Sequence, residues 1–257
     1  MRLKWYGTAT ILLEQDNARL LFDPFLSLND RFKPPADELS AADNILVTHG
    51  HFDHITGIPS IVRQGGGRAT VYCTAGPRET LISKGIETER IRAIAPGDVL
   101  RFGSLAVRVL KGKHIVFDKK LIIKTLISPR ILTNRSNLMY IFKEHKLCAE
   151  AGETVVYDVS AADKRVLLLG SLNLDDNTEY PADADLLVLP LQGRSDIAEY
   201  AMPFIERLRP KKILLDHFDN TFPPISSAVD TEPFVSLMRQ KYPGVTVIRP
   251  GADWLEV

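Results

Sequence analysis

Short apolar runs, bounded by turn-forming residues, dominate the chain from its beginning. Such runs are typical of β-strands, because strands are short whereas helices show longer amphipathic patterns. The first two runs flank a turn at residues 15–17, and the stretch Gly103-Ser104 between two later runs predicts a hairpin. Strands are predicted at residues 10–13, 19–22, 45–48, 70–73, 99–102, 105–110, 155–159, 166–169, 186–189, 213–215 and 245–248.

Two longer stretches have helical spacing, at residues 77–84 and at about 196–208. Strands come first along the chain and are followed by strands mixed with helices, and this order occurs twice. This order predicts an α/β fold in which sheets are covered by helices. Because no linker rich in Gly, Ser or Pro divides the chain, we expect one domain over residues 1–257.

The composition is that of an ordinary globular protein, with 45% hydrophobic and 25% charged residues. Lys+Arg and Asp+Glu both number 32, so no overall field attracts nucleic acid or membrane. No apolar run approaches the roughly 20 residues that span a bilayer, and residues 1–13 lack the pattern of a leader. A cytoplasmic protein is expected, with Cys73 and Cys148 as buried, reduced thiols.

Residues 111–146, here called the basic insert, differ from the rest of the neutral chain. They contain nine Lys or Arg residues and two acidic residues, a local charge of +7, with apolar residues interleaved. Two interpretations are open. The insert is an amphipathic segment with a solvated basic face, or it is a lid or binding surface for an anionic molecule.

Three of the six histidines lie within residues 49–54, which read HGHFDH and directly follow an apolar run. Imidazole and carboxylate groups are the ligands that zinc and related divalent ions prefer. His49 and His51 point the same way if the chain stays extended between them. Asp53 and His54 are adjacent, so a turn is needed to aim them at a second point. The spacing therefore suggests two neighbouring metal positions.

The histidine-rich stretch resembles the HxHxDH signature of the metallo-β-lactamase superfamily. Residues 5–7 and 21–24 resemble the first strands of that fold, residues 166–170 its strand before a Gly-Asp turn, and residues 214–219 the strand with its last histidine. The resemblance implies an αββα sandwich. The first two segments are most similar to the branch that includes sugar-phosphate lactonases and phospholipid-cleaving phosphodiesterases.

The resemblance also implies a metal site made by His49, His51 and a third histidine. His114 is favoured for this position because it follows the predicted strand 105–110. His145 is the alternative, and it lies within the basic insert.

A second site is implied at Asp53, His54 and His217, with Asp23 orienting a ligand imidazole. Zinc is the expected metal, manganese or iron is compatible with these ligands, and one or two ions are expected.

The sequence departs from the superfamily pattern at two positions. Thr8 follows Gly7, where the branch commonly has histidine, and Ser171 follows Gly170, where the family has an aspartate that bridges both metals. Asp175 and Asp176 are the nearby candidates for a replacement carboxylate. Without one, we expect one tightly bound ion and a weak or absent second ion.

The implied reaction is hydrolysis of a small ester, lactone or phosphodiester, anionic in view of the basic insert. A bound divalent ion lowers the pKa of its water to about 7, and Asp53 is expected to hold that water. The chain lacks Gly-x-Ser-x-Gly and the common nucleotide-binding motifs. The alternatives are an iron-dependent oxidoreductase of the same fold, or a non-catalytic metal-binding protein in view of Ser171.

Overall fold

The structure, a computed structural model, describes residues 1–29, 34–148 and 151–257. Within these ranges the chain forms fourteen strands in two sheets. The strands are β1 (Arg2–Trp5), β2 (Ile11–Gln15), β3 (Ala18–Phe22), β4 (Asn44–Leu46), β5 (Thr70–Cys73), β6 (Ile91–Ala93), β7 (Val99–Phe102), β8 (Leu105–Lys111), β9 (Val155–Ala161), β10 (Lys164–Leu169), β11 (Leu186–Pro190), β12 (Lys212–Asp216), β13 (Thr246–Ile248) and β14 (Leu255–Glu256).

The two sheets have the same arrangement of strands. The first sheet has the order β14-β1-β2-β3-β4-β5-β6, and the second has the order β13-β12-β11-β10-β9-β8-β7. In each sheet a run of antiparallel strands, ending at β3 or β10, is followed by three parallel strands. Strands β3 and β4 therefore end at the same edge of the first sheet, and β8, β10, β11 and β12 end at the same edge of the second.

Helices cover the outer faces of both sheets. None of those in the described residues is long and apolar enough to cross a membrane. The helices of the described ranges are α1 (Ala36–Ser40), α2 (Phe52–Ile55), α3 (Ile58–Gln64), α4 (Ala75–Ser83), α5 (Lys119–Leu126), α6 (Arg130–Thr133), α7 (Arg135–Leu147), α8 (Ile197–Leu208) and α9 (Glu232–Lys241).

Three apolar clusters separate four layers. Side chains alternate along each strand, so neighbouring residues of β2 and β3 enter different clusters. Leu13 and Phe22 lie in the cluster between the sheets, where the Phe22 ring packs 5.5 Å from that of Tyr157 in the second sheet. Leu12 packs towards the helices over the first sheet, and a third cluster lies under α8 and α9. The predicted αββα sandwich is confirmed.

Every predicted strand is present, with its ends shifted by one or two residues or slightly extended. Strand β4 ends at Leu46 instead of Thr48, because the backbone N–H of Thr48 donates to the Asp23 carboxylate rather than to a neighbouring strand. The hairpin at residues 103–104 is confirmed by the pairing of Phe102 with Leu105. Helices α1 to α3, α5 to α7 and α9 were not predicted.

The basic insert forms the three helices α5, α6 and α7. Helix α5 buries none of its residues, and α7 buries Ile141 and Glu144. Glu144 forms an ion pair with Lys84 of the main body, and α7 packs on α2. The insert therefore lies against the histidine-rich stretch.

Candidate metal centre

The candidate ligands lie in loops at the carboxyl ends of strands. Asp23 follows β3, and the histidine-rich stretch follows β4 in the same sheet. In the second sheet His114 follows β8, Ser171 follows β10 and His217 follows β12. Since parallel strands bring such loops to one edge, residues far apart in sequence meet there.

Gly170 lets the two sheets approach closely at this edge. A Cβ atom at Gly170 would lie 2.1 Å from the Cβ of Thr48, which is a severe overlap. The Thr48 carbonyl also accepts a hydrogen bond from the N–H of Val155 at 2.9 Å. Thr48 is thereby held against the second sheet, at the start of β9 and beside Gly170.

Asp23 and Thr48 form a buried hydrogen-bonded unit behind the histidines. The Asp23 carboxylate accepts from the N–H of Thr48 at 2.7 Å and from its hydroxyl at 2.6 Å. It also lies 3.0 Å from Nδ1 of His54, while the Thr48 hydroxyl lies 3.0 Å from Nδ1 of His49. Both imidazoles are therefore held through Nδ1, which directs Nε2 of each ring towards the site. The sequence analysis missed Thr48, although it directly precedes the motif.

Three histidines meet at one point, and we call them the three-histidine group. The ring centroids of His49 and His51 are 4.9 Å apart, and that of His114 lies 4.6 Å from His51 and 5.1 Å from His49. One nitrogen of each ring lies within 4.8 Å of the others. His145 lies 6.3 Å from His51 and falls outside the group. The structure thus brings His114, not His145, to the first pair.

Asp53, His54 and His217 form an adjacent cluster, which we call the mixed group. Helix α2 provides the turn that aims Asp53 and His54 away from the extended residues before them. The Asp53 carboxylate lies 3.1 Å from Nε2 of His217 and 4.0 Å from Nε2 of His54. The ring of His54 is only 3.9 Å from that of His49, so the two groups share a border.

The electrostatics around His49 and His51 favour neutral imidazoles. Burial, together with the neighbouring histidines, holds the pKa of His49 well below its usual value. Burial also lowers the pKa of His51 to about 4, although Asp53 acts in the opposite direction. Nε2 of His49 is buried and has no hydrogen-bond partner in the described part of the chain. A buried, neutral imidazole nitrogen without a partner fits a metal ligand, because buried polar atoms otherwise find a hydrogen bond.

The mixed group carries a charge separation. Burial opposes ionisation of Asp53, but the hydrogen bond from His217 and the nearby imidazoles hold the pKa of this carboxyl well below its usual value. Burial opposes protonation of His217, but Asp53, Asp216 and Asp219 raise the pKa of its imidazole to about 9. Asp53 is therefore an anion at neutral pH and supplies the negative charge of the site.

Ser171 lines the cavity, and it stands in the sequence where the superfamily pattern has a bridging aspartate. Its hydroxyl accepts a hydrogen bond from the N–H of Ile115 at 2.9 Å. Asp175 lies 3.3 Å from Lys111, and Asp176 lies 2.5 Å from Lys113. Both aspartates lie outside the cavity lining, so neither supplies a replacement carboxylate.

A cavity of about 530 Å³ opens onto both groups. The basic insert contributes mainly apolar side chains to it, together with His145. Arg194 is the single Lys or Arg among the described lining residues, and Asp196 binds it through two hydrogen bonds of 2.7 and 2.8 Å. The lysines of the insert lie outside the lining, and an anionic substrate stays a prediction.

Comparison with known proteins identifies the family of the chain. A family model described as the beta-lactamase superfamily domain matches residues 18–218. A metal-dependent hydrolase of Ligilactobacillus salivarius is 27% identical over 236 residues, covering 90% of each chain. Among solved structures, a metallo hydrolase of Ignicoccus hospitalis is similar, with a TM-score of 0.62, 19% identity and coverage of 100% of this chain and 98% of that chain. Zn²⁺-bound PqqB of Methylobacterium extorquens has a TM-score of 0.62, 15% identity and complete coverage of both chains.

The fold, the clustered histidines and these relatives define the class as the metal-dependent hydrolases of the metallo-β-lactamase fold. The family model matches well over half of the chain. The chain belongs to the beta-lactamase superfamily domain family.

Proposed function

We propose that the protein hydrolyses a small ester, lactone or phosphodiester at a zinc centre held by the two groups. The observation that carries the proposal is the presence of two three-residue clusters, in each of which the three ligand atoms lie within 4.8 Å of one another. Nε2 of His49 is also buried and has no partner in the described structure. The proposed ligands are His49, His51 and His114 for the first ion, and Asp53, His54 and His217 for the second.

Zinc bound here would supply a hydroxide at neutral pH and polarise the carbonyl or phosphoryl oxygen of the substrate. Asp53 stays ionised, so its carboxylate would accept a hydrogen bond from a water molecule in the site and orient it. His49 and His51 stay neutral, which leaves their lone pairs available as ligands. Asp23 and Thr48 fix the orientation of two imidazoles.

The proposal is tested by comparing His51→Ala with His145→Ala. Both histidines border the cavity, but only His51 belongs to a candidate ligand group. Metal content is measured by mass spectrometry after dialysis, and turnover is measured on a panel of esters, lactones and phosphodiesters. We expect His51→Ala to lose bound metal and nearly all turnover, and His145→Ala to keep its metal. Full metal content and full activity in His51→Ala would contradict the proposal.

A second candidate, a non-catalytic metal-binding protein, is favoured by one observation. Ser171 is neutral and its hydroxyl is engaged by Ile115, so the site lacks one negative charge of the family pattern. Stable metal binding without turnover on the whole panel would favour this candidate. An iron-dependent oxidoreductase would be recognised by iron in the purified protein and by its visible spectrum.

Two further expectations remain predictions. A single domain over residues 1–257 is proposed because the cluster between the sheets joins both halves of the chain. Limited proteolysis that released a stable half would contradict it. The cytoplasmic location rests on the sequence alone, and cell fractionation would test it.

A further inference from the structure

The basic insert contributes an apolar wall to the cavity. Helix α5 and its surroundings place aromatic and aliphatic side chains there, and α7 adds two more. We call these residues the apolar wall, and they are Phe117, Leu121, Ile122, Leu126, Ile141 and Phe142.

The apolar residues of helix α5 and its C-terminal end lie on two different faces. Ile122 and Leu126, one turn apart, line the cavity, whereas Ile123 and Ile127 do not. At 100° per residue, the second pair lies on a different face, together with Lys120 and Lys124. Lys120 and Lys124 therefore lie away from the cavity, and the cavity face of α5 is apolar apart from Thr125.

Three side chains of the apolar wall are exposed to solvent in the described structure. Ile122 is 46% exposed, Leu126 is 58% exposed and Phe142 is 54% exposed, although all three border the cavity. Exposed apolar side chains that converge on a cavity are typical of a ligand-binding surface. Arg194, the one Lys or Arg in the described lining, already binds Asp196. The wall therefore offers contact area to an apolar group and no unpaired Lys or Arg to an anion.

We infer that the substrate carries an apolar chain or ring beside its scissile bond, and that the apolar wall binds this group and sets its preferred length. This inference rests on the proposed function, since the same cavity borders both candidate ligand groups. The hydrolysed group lies at the histidines and the apolar group extends along α5 and α7.

Binding of straight-chain alcohols tests the wall without metal or turnover. Competition with an environment-sensitive apolar dye, at alcohol concentrations below aggregation, gives the affinity of each alcohol from butanol to decanol. Each added methylene that is buried should raise the affinity about fourfold, until the wall is filled. The same chain-length preference should appear in kcat/KM for the matching p-nitrophenyl esters of the metal-loaded protein.

Two double variants provide a matched comparison. Ile122→Ser with Leu126→Ser removes apolar area from the cavity face of α5, and we expect about a tenfold loss of decanol affinity. Ile123→Ser with Ile127→Ser removes similar area from the other face, and we expect no loss. All four residues are at least 46% exposed, so both variants should fold, and circular dichroism checks this.

An affinity that does not change with chain length would overturn the inference, as would equal losses in the two double variants. The latter result would place the alcohols on the outer surface of the insert. If the chain-length dependence appears but no ester, lactone or phosphodiester is cleaved, the apolar wall is supported and the proposed hydrolysis fails. If only short esters are cleaved, without a gain from longer chains, the hydrolysis is supported and the inference fails.

Discussion

Replacing Asp23 by asparagine tests how the buried unit behind the histidines acts on the metal site. Asp23 is fully buried, and one carboxylate oxygen faces both the Thr48 hydroxyl and Nδ1 of His54. Its backbone has a φ of 44°, a left-handed conformation that asparagine also tolerates. The substitution therefore changes charge and hydrogen bonding while keeping shape and backbone conformation.

The expected effect follows from the hydrogen bonds. The amide oxygen of asparagine can still accept from the N–H of Thr48, but its NH₂ group then faces Nδ1 of His54. If Nδ1 keeps its proton, a buried donor is left unsatisfied, which costs about 1–3 kcal/mol of the free energy of unfolding. If the proton moves to Nε2, that nitrogen can no longer bind a metal. Loss of such an orienting partner typically lowers metal affinity by about 10–100-fold.

Two measurements separate these outcomes, namely urea unfolding of the metal-free protein and zinc affinity by competition with a chromophoric chelator. Asp158→Asn serves as the control, because Asp158 is also buried but pairs with Arg108 and Arg165 and lies outside the cavity lining. We expect the control to keep its zinc affinity, whatever its effect on stability. If Asp23→Asn kept the zinc affinity of the control, the assigned role of Asp23 would be wrong.

Three further predictions concern other positions. Ser171→Asp should raise the bound metal after dialysis from one ion towards two, because it restores a carboxylate between the groups; metal analysis checks this. Gly170→Ala should lower the free energy of unfolding by about 3 kcal/mol, because its Cβ would overlap Thr48, whereas Gly244→Ala, with no atom within 4 Å, should not. Burial raises the pKa of Cys73 to about 12, so its thiol stays protonated at pH 8 and should react with a disulfide reagent only after unfolding.

The sequence alone was sufficient for the strands, the class of fold and the candidate ligands. Both faces of each sheet are covered, so the buried strands are continuous apolar runs. An apolar run in the sequence therefore indicates a buried strand. The stretch at residues 49–54 predicted a metal site because few other functions require that many ligands at that spacing. His114 and His217 were implied by the resemblance to the superfamily, and both follow strands whose loops meet at one edge of a sheet.

Only the tertiary structure decided what surrounds the candidate ligands. The part played by Thr48 depends on Asp23, 25 residues away in sequence, and on the close approach of Gly170 from the other sheet. The basic insert illustrates the same limit. Its charge of +7 is visible in the sequence, but the side on which Ile122 and Lys124 lie depends on how α5 rests on the main body. Amino-acid composition shows how many charges are present, whereas packing determines which of them face the cavity.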